Sequence, residues 1–296
     1  MSKDSSIKTP AQAMLLAAGR GERMRPLTDS MPKPLLTVRG KPLLWYPLQA
    51  LAMAGVSSAV INTGWLGDHI EPVFGNSFQP SLAQDSPHAS KLQLQYSHEG
   101  RGAGEALETA GGIVRALPKL DEVFWVAAGD VFAPDFVFSA QTYESFKASA
   151  CLAHIWLVPN PDHNLEGDFG LSPEGLALNL PRQPDQSLFT FSTIALYKRA
   201  FFEAAWCPIP AGNPEGVKAP LAAMLRAAMD QGLVSASLYE DLWVDVGTPE
   251  RLAQLNGINW GQIPIVSRRV FWGGLKMPCF EGVVSRDGAR RRFDDT

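Results

Sequence analysis

Short apolar runs alternate with amphipathic stretches along the first half of this chain. Residues 11–18 (AQAMLLAA) end at Gly19 and predict a buried strand. A helix is expected from Pro42, suited to a first turn, to Gly55, suited to a C-terminal cap, with a kink near its start at Pro47. Residues 58–62 predict a second strand, 65–74 a short helix, 76–90 a polar loop and 92–96 a third strand. Helical spacing over 106–117 is weakened by Gly111 and Gly112. Residues 123–128 form a strongly apolar fourth strand that ends at Gly129-Asp130.

Strands that alternate with helices imply an α/β fold. The expectation is a Rossmann-like, mixed but mostly parallel sheet with helices on both faces. The second half changes character. Residues 150–158, 169–171 and 188–197 are strand-like with fewer helices between them, so mixed or antiparallel pairing is expected there. A helix over 221–229 and a strand over 234–239 follow. Thr248 and Pro249 are suited to the cap and first position of a last helix. The chain divides into residues 1–256, with a first part 11–130 and a second part 131–256, and a tail, 257–296, with no repeat and no assigned role.

Composition narrows the functional classes. Hydrophobic residues make up 46% and charged residues 19% of the 296, a globular balance that can build a core without metal or disulfide. A net charge of -4 argues against general nucleic-acid binding. Cys151, Cys207 and Cys279 are odd in number and widely spaced, which reads as free thiols in a reducing compartment. Residues 1–10 carry no apolar stretch of a secretory signal, and no apolar run is long enough to span a membrane. A cytoplasmic monomer is the expectation.

The densest chemical signal is Gly19-Arg20-Gly21-Glu22-Arg23-Met24-Arg25-Pro26-Leu27-Thr28, followed by Pro32-Lys33-Pro34-Leu35. A strand feeding a glycine turn gathers backbone N–H groups into a nest for phosphate oxygens, and Arg25 and Lys33 add positive charge. Two familiar phosphate motifs fail on spacing. No G-K-[ST] follows the second glycine, and the third glycine of a dinucleotide fingerprint is replaced by Met24. The second strand also ends in neutral Asn62 instead of an acid for a ribose.

Two aspartates complete the pattern. Asp130 ends the fourth strand, and Asp245 lies 115 positions later (245 minus 130) in Leu242-Trp243-Val244-Asp245-Val246-Gly247-Thr248-Pro249. Read singly, each is a turn or strand-end carboxylate. Together with the first loop they suit phosphoryl chemistry, in which Mg²⁺ takes hard oxygen ligands and usually one or two carboxylates.

These segments resemble the sugar-1-phosphate nucleotidyltransferases, whose opening motif reads L-A-A-G-x-G-x-R-M/L-x-P-L-T and then P-K-P-L. That family also carries G-D after the fourth strand and W-x-D-x-G-T-P near the end. The similarity covers roughly residues 11–256. It implies a nucleotidyltransferase fold that joins a nucleoside triphosphate to a sugar 1-phosphate and releases pyrophosphate. It further implies that Arg25 contacts the leaving pyrophosphate, that Lys33 reaches the α-phosphate and sugar phosphate, and that Asp130 and Asp245 bind Mg²⁺. The turn residues Ala17, Ala18, Gly19 and Gly21 would then wrap the nucleotide.

A smaller branch is suggested by Leu107-Glu108-Thr109-Ala110-Gly111-Gly112, Gly167-Asp168-Phe169-Gly170-Leu171, Phe189-Thr190-Phe191-Ser192 and Lys218-Ala219-Pro220-Leu221. The resemblance implies nucleotide contacts at Glu108 and Thr109 and sugar contacts at Asp168, Thr190, Ser192 and Lys218. It implies UTP and N-acetylmuramic acid 1-phosphate as substrates, in recycling of cell-wall sugars. Mannose- or glucose-1-phosphate transfer and a non-catalytic nucleotide-sugar sensor are the alternatives. On the residues alone, Thr109 could cap a helix, Gly111 and Gly112 could admit a ligand closely, and Asp168 could simply form a turn. Ala110 replaces a glycine, and its methyl is expected to crowd the base. Segment 101–104 looks inserted, and Arg182 is the nearest replacement for a missing glutamate-lysine-proline element. The last forty residues lack the hexad period of an appended acyltransferase.

Overall fold

The computed structural model describes residues 11–81, 87–100, 106–181 and 187–257. The expected tail beyond 257, segment 101–104, Arg182 and Cys279 lie outside the described residues. In chain order the elements are β1 (Gln12–Ala17), β2 (Thr37–Val38), β3 (Lys41–Pro42), α1 (Trp45–Met53), β4 (Ser58–Thr63), α2 (Ile70–Phe74), β5 (Ser77–Phe78) and β6 (Leu92–His98). There follow α3 (Glu108–Ala116), β7 (Val123–Ala128), β8 (Val131–Phe132), α4 (Ala140–Ala148), β9 (Ala153–Val158), β10 (Gly170–Leu171) and β11 (Ala177–Leu178). The last are β12 (Thr190–Lys198), α5 (Leu221–Met229), β13 (Val234–Leu238), β14 (Val244–Asp245) and α6 (Pro249–Gly257).

Eight strands form one sheet in the order β13-β9-β12-β7-β1-β4-β6-β5. Strands β7, β1, β4 and β6 are mutually parallel, β12 runs against both β7 and β9, and β5 runs against β6. The mostly parallel first half and the mixed second half are therefore as the patterning implies. The chain leaves β1 toward β4 and β6, then returns to the other side of β1 as β7. Strand order thus reverses between β1 and β7, and their carboxyl ends, Ala17 and Ala128, open the crevice where ligands of such sheets bind.

Both faces of the sheet are buried, which is why its central strands read as unbroken apolar runs. Met14, Phe124 and Val126 point to one face, where α3 and α5 contribute Ile113, Val114 and Leu225. Leu15, Trp125 and Ala127 point to the other, covered by Leu48 and Leu51 of α1 and by Tyr143 and Phe146 of α4. Helix α4 is short and weakly patterned and was not expected, but Ser139 caps it by accepting from the Thr142 N–H at 3.3 Å.

Three local expectations are corrected. Pro42 does not start a helix; it pairs with Thr37 in a small hairpin, and α1 begins at Trp45. Pro47 therefore falls in the first turn, where its missing N–H has no helical partner to lose, and no kink follows. The 76–90 stretch is likewise not wholly loop, since Ser77–Phe78 closes the edge of the sheet beside β6.

His154 lies buried in β9 with both ring nitrogens engaged, Nδ1 with Ser235 Oγ at 2.9 Å and Nε2 with Ser237 Oγ at 3.2 Å. Burial holds its pKa down, to about 4. The folded chain thus refuses a proton that the unfolded chain takes up below about 6.5, so this contribution to stability is lost as pH falls from about 6.5 to 4. The size is on the order of 3 kcal/mol. His154→Gln is expected to remove this part of the acid sensitivity, read as a wild-type minus variant unfolding free energy that narrows between pH 7 and 4. A pH-independent difference would sink the account.

Candidate active site

The strand that follows Asp130 and the strand that carries Asp245 are only two residues long. Strands β8 and β14 pair antiparallel with Asp245 opposite Val131, and the Val246 N–H donates to the Asp130 carbonyl at 3.3 Å. So short a ribbon needs backing, and a separate apolar cluster supplies it. Phe132, Val244 and Val246 pack with Met24 of the glycine-and-cation loop, with Leu36 and Leu43 on either side of the β2–β3 hairpin and with Leu255 of α6. The loop and both aspartates are thereby fixed to one another.

Within the loop, Gly21 has φ +64°, and a β-carbon there would press on Thr28 at 3.1 Å and on Lys33 at 3.3 Å. The Thr28 hydroxyl donates to the Gly21 carbonyl at 2.8 Å. Arg20 lies over the Trp65 ring at 3.9 Å, donates to the Thr28 carbonyl at 2.7 Å and pairs with Asp29 at 2.9 Å. That arginine therefore buttresses the turn.

Lys33 is 7% exposed, and its Nζ lies 2.6 Å from Asp130 Oδ2 and 3.7 Å from Asp245 Oδ1. One ammonium thus neutralises two carboxylates from distant parts of the chain. Beside it opens a cavity of about 350 Å³ lined by Ala17, Gly19, Gly21, Arg23, Lys33, Asp130 and Gly247. Asp245 Oδ2 also accepts from Arg251 Nη1 at 3.2 Å and lies 3.6 Å from His163 Nε2. Burial and the neighbouring Arg251 hold the His163 pKa below its usual value, against the pull of Asp245. The pair of carboxylates, both within reach of one cationic atom, fits a hard divalent ion that takes one or two protein oxygens and completes its shell from water and phosphate. Among the described residues no cluster of three or more acidic, histidine or cysteine side chains forms a closed metal cage.

The position expected for Arg25 requires a correction. Its guanidinium is exposed, pairs with Asp29 at 3.2 Å, and is not part of the cavity wall. Arg23 lines the cavity instead and approaches Asp245 at 4.0 Å. Counted from Gly19, the arginine of the motif G-x-G-x-R also falls on residue 23. That is two positions before Arg25, in a loop with three arginines.

A buried polar chain, missed in the sequence because its members are far apart, joins this loop to the start of α3. The Ala17 N–H donates to Asn62 Oδ1 at 2.6 Å, Asn62 Nδ2 donates to Glu99 Oε1 at 2.5 Å, and the Leu107 N–H donates to Glu99 Oε2 at 2.8 Å. Burial pushes the Glu99 pKa up, while these hydrogen bonds pull it down. Asn62 is neutral because its task is to bridge a backbone amide and a carboxylate.

The glycines of α3 serve this packing. A methyl on Gly111 would overlap the Val217 carbonyl, and one on Gly112 would overlap Glu99 Oε1. Ala110 is fully buried in the core and is in the wall of neither cavity. Thr109 is not the cap; α3 starts at Glu108, and the N–H groups of Ala110 and Gly111 donate to the Ala219 carbonyl at 3.0 and 3.2 Å. Glu108 is exposed and has φ +59°, a left-handed conformation uncommon for a non-glycine residue.

A second cavity, about 560 Å³, opens on the same side between α3, β12 and α5, and Glu108, Thr109, Asp168, Phe191, Thr193 and Arg226 are in its wall. Asp168 accepts from the Phe191 N–H at 2.9 Å and from Asn164 at 3.3 Å, so its carboxylate orders the rim. Thr190 and Ser192 are buried. Thr190 donates to Asn160 at 2.9 Å and Ser192 to the Trp156 carbonyl at 2.7 Å. Neither hydroxyl is in the cavity wall, whereas Thr193 is. Lys218 is exposed on the segment whose Ala219 ties down α3 and is outside the wall as well.

With the fold and the two adjoining cavities in place, the class of the molecule is defined. The nucleotidyl transferase family matches residues 12–258, and the chain belongs to that family. It is 42% identical over 249 residues to the N-acetylmuramate alpha-1-phosphate uridylyltransferase of Neisseria meningitidis serogroup B, covering 83% of this chain and 97% of that protein. It is 31% identical to the enzyme of the same name from Caulobacter vibrioides, over 82% of this chain and 94% of the relative. In three dimensions it resembles a Bacillus anthracis protein described as a glucose-1-phosphate thymidylyltransferase, crystallised with sucrose. That likeness has a TM-score of 0.62 at 18% identity over 89% of this chain and 98% of the other, and speaks for the fold. No helix of the described residues is long and apolar enough to cross a membrane.

Gly112→Ala tests the buried chain. Overlap with Glu99 costs on the order of 1–3 kcal/mol, against up to about 1 kcal/mol gained in helix propensity. A net loss is expected in urea unfolding, and a variant more stable than wild type would remove Glu99 from this role.

Proposed function

We propose that the chain transfers UMP from UTP to N-acetylmuramic acid 1-phosphate, forming the nucleotide-sugar and releasing pyrophosphate, in cytoplasmic recycling of cell-wall sugars. The observation that carries the reaction class is Lys33 Nζ set between Asp130 and Asp245 beside the Gly19–Gly21 turn. The choice of base and sugar is supported by the near full-length similarity to the Neisseria enzyme. Residues 11–130 are the nucleotide-binding part and 131–256 the sugar-binding part, with the second cavity walled by both.

The sugar-phosphate oxygen attacks the α-phosphorus in line, and pyrophosphate leaves on the opposite side. No covalent enzyme intermediate is needed, because holding two polyanions in register and screening their charge is the larger part of the task. Gly19 and Gly21 present backbone to the phosphates, and Arg23 takes charge that builds on the leaving pyrophosphate. Lys33 steadies the α-phosphate from the floor of the cavity. Asp130 and Asp245 would hold Mg²⁺, which supplies charge neutralisation on phosphate oxygens. Arg251 fixes the Asp245 carboxylate from behind. Glu108 and Thr109 lie where the nucleoside enters, and Asp168 shapes the sugar side.

Pyrophosphate release measured for five nucleoside triphosphates against a panel of sugar 1-phosphates should be fastest with UTP and N-acetylmuramic acid 1-phosphate. Faster turnover with another pair would replace the substrate assignment and leave the reaction class. Lys33→Ala should lower turnover roughly 10²–10³-fold, and Arg23→Ala should impair it more than Arg25→Ala. A fully active Lys33→Ala enzyme is incompatible with the mechanism.

A further inference from the structure

The second cavity holds a cation that the mechanism leaves unused. Arg226 projects from α5 into its wall, alongside Asp168, Thr193 and Leu221. Its guanidinium is held in place from three sides. Nη1 donates to Asn179 Oδ1 at 2.7 Å, Nη2 donates to the Asp168 carbonyl at 3.2 Å, and the group lies 4.9 Å from the centre of the Phe169 ring. Each of these partners is neutral, and Asn179 is itself turned by Asp230, to whose carboxylate it donates at 2.9 and 3.2 Å.

Arg20, Arg25, Arg199 and Arg251 each have a carboxylate partner. No carboxylate of the described residues forms an ion pair with Arg226. The carboxylate of Asp168 is turned instead toward the Phe191 N–H and Asn164, and Glu108, also in the wall, is exposed. A half-buried guanidinium with neutral partners and donors to spare is matched by a planar anion, since its fork pairs two N–H groups with two oxygens. A rigid fork at the wall of a ligand cavity is pre-organised for such a group.

We infer that Arg226 is a specificity-determining residue that receives a carboxylate carried by the sugar substrate. This rests on the sugar assignment proposed above, because N-acetylmuramic acid differs from N-acetylglucosamine by a lactyl ether that ends in a carboxylate. Arg226 thus selects an acidic sugar 1-phosphate over its neutral counterpart. The reacting phosphates lie in the other cavity, so the selection acts through sugar binding.

The test compares wild type, Arg226→Gln and Arg226→Lys in the full chain. Pyrophosphate release is measured with UTP and either N-acetylmuramic acid 1-phosphate or N-acetylglucosamine 1-phosphate, and thermal midpoints are recorded for each variant. Wild type should prefer the acidic sugar. In Arg226→Gln the ratio of kcat/KM for the acidic over the neutral sugar should fall about ten- to a hundredfold, the worth of a lost charge-assisted hydrogen bond. The fall should arise in KM for the acidic sugar, and Arg226→Lys should recover part of the ratio because it keeps charge without the fork. Equal losses on both sugars would mean that Arg226 only holds the Asp168 loop, and the inference is overturned. It is also overturned if Arg226→Gln keeps the wild-type ratio, with the sugar assignment still standing. Wild type that favours the neutral sugar overturns the sugar assignment itself, and this inference with it.

Discussion

The pairing of β8 with β14 is the constraint on which the rest of the site depends. It brings the main chain at Asp130 against Val246, and places two carboxylates near one point outside the carboxyl edge of the sheet. Like charges gathered in this way repel, and Lys33 compensates them from a nearly buried position. Four short ladder residues could not sustain that arrangement in water. The apolar cluster of Met24, Leu36, Leu43 and Phe132 beneath them does, and through Met24 it enlists the glycine-and-cation loop as part of its own packing. The charges of Lys33, Asp130 and Asp245 are therefore held by hydrophobic burial one layer below.

The two cavities are coupled through backbone and side-chain hydrogen bonds. On one side, Asn62 and Glu99 tie the end of β1 to the start of α3, so that the glycine turn and Glu108 are set by a common buried network. On the other, Trp243 Nε1 donates to the Ser192 carbonyl at 3.0 Å, which ties the strand carrying Asp245 to an irregularity in β12 between Phe191 and Ala195. Thr193 within that irregularity has φ +64° and faces the second cavity. Strain of this kind persists only where surrounding packing over-determines it, and here that packing connects the second cavity to the strand carrying Asp245.

Residue types chosen for chemistry and residue types chosen for packing are easily confused in this chain. The glycines of α3 suggest a ligand, yet Gly111 and Gly112 are small because Val217 and Glu99 press against the helix. Thr190 and Ser192 look like hydroxyls for a sugar, but both donate to the protein interior. Arg20 belongs to the same cation-rich loop as Lys33, yet it stacks on Trp65. The distinction depends on which way a side chain leaves the backbone and on what lies opposite, and neither is written in a linear motif.

By itself the sequence determined the architecture and the chemical class. Apolar runs such as 123–128 report burial on both faces of a parallel strand, and the motifs that hold Gly19, Gly21, Lys33, Asp130 and Asp245 mark the nucleotidyl transferase family. These signals are local, so they survive without coordinates. Tertiary structure decided the matters that depend on encounters between distant segments: Arg23 rather than Arg25 at the cavity, the Asn62–Glu99 bridge, the ribbon joining Asp130 to Asp245, and Arg226 facing the second cavity without an acidic partner. Each turns on a distance between side chains tens to more than a hundred residues apart, or on a side-chain direction within a turn, and a one-dimensional pattern records neither.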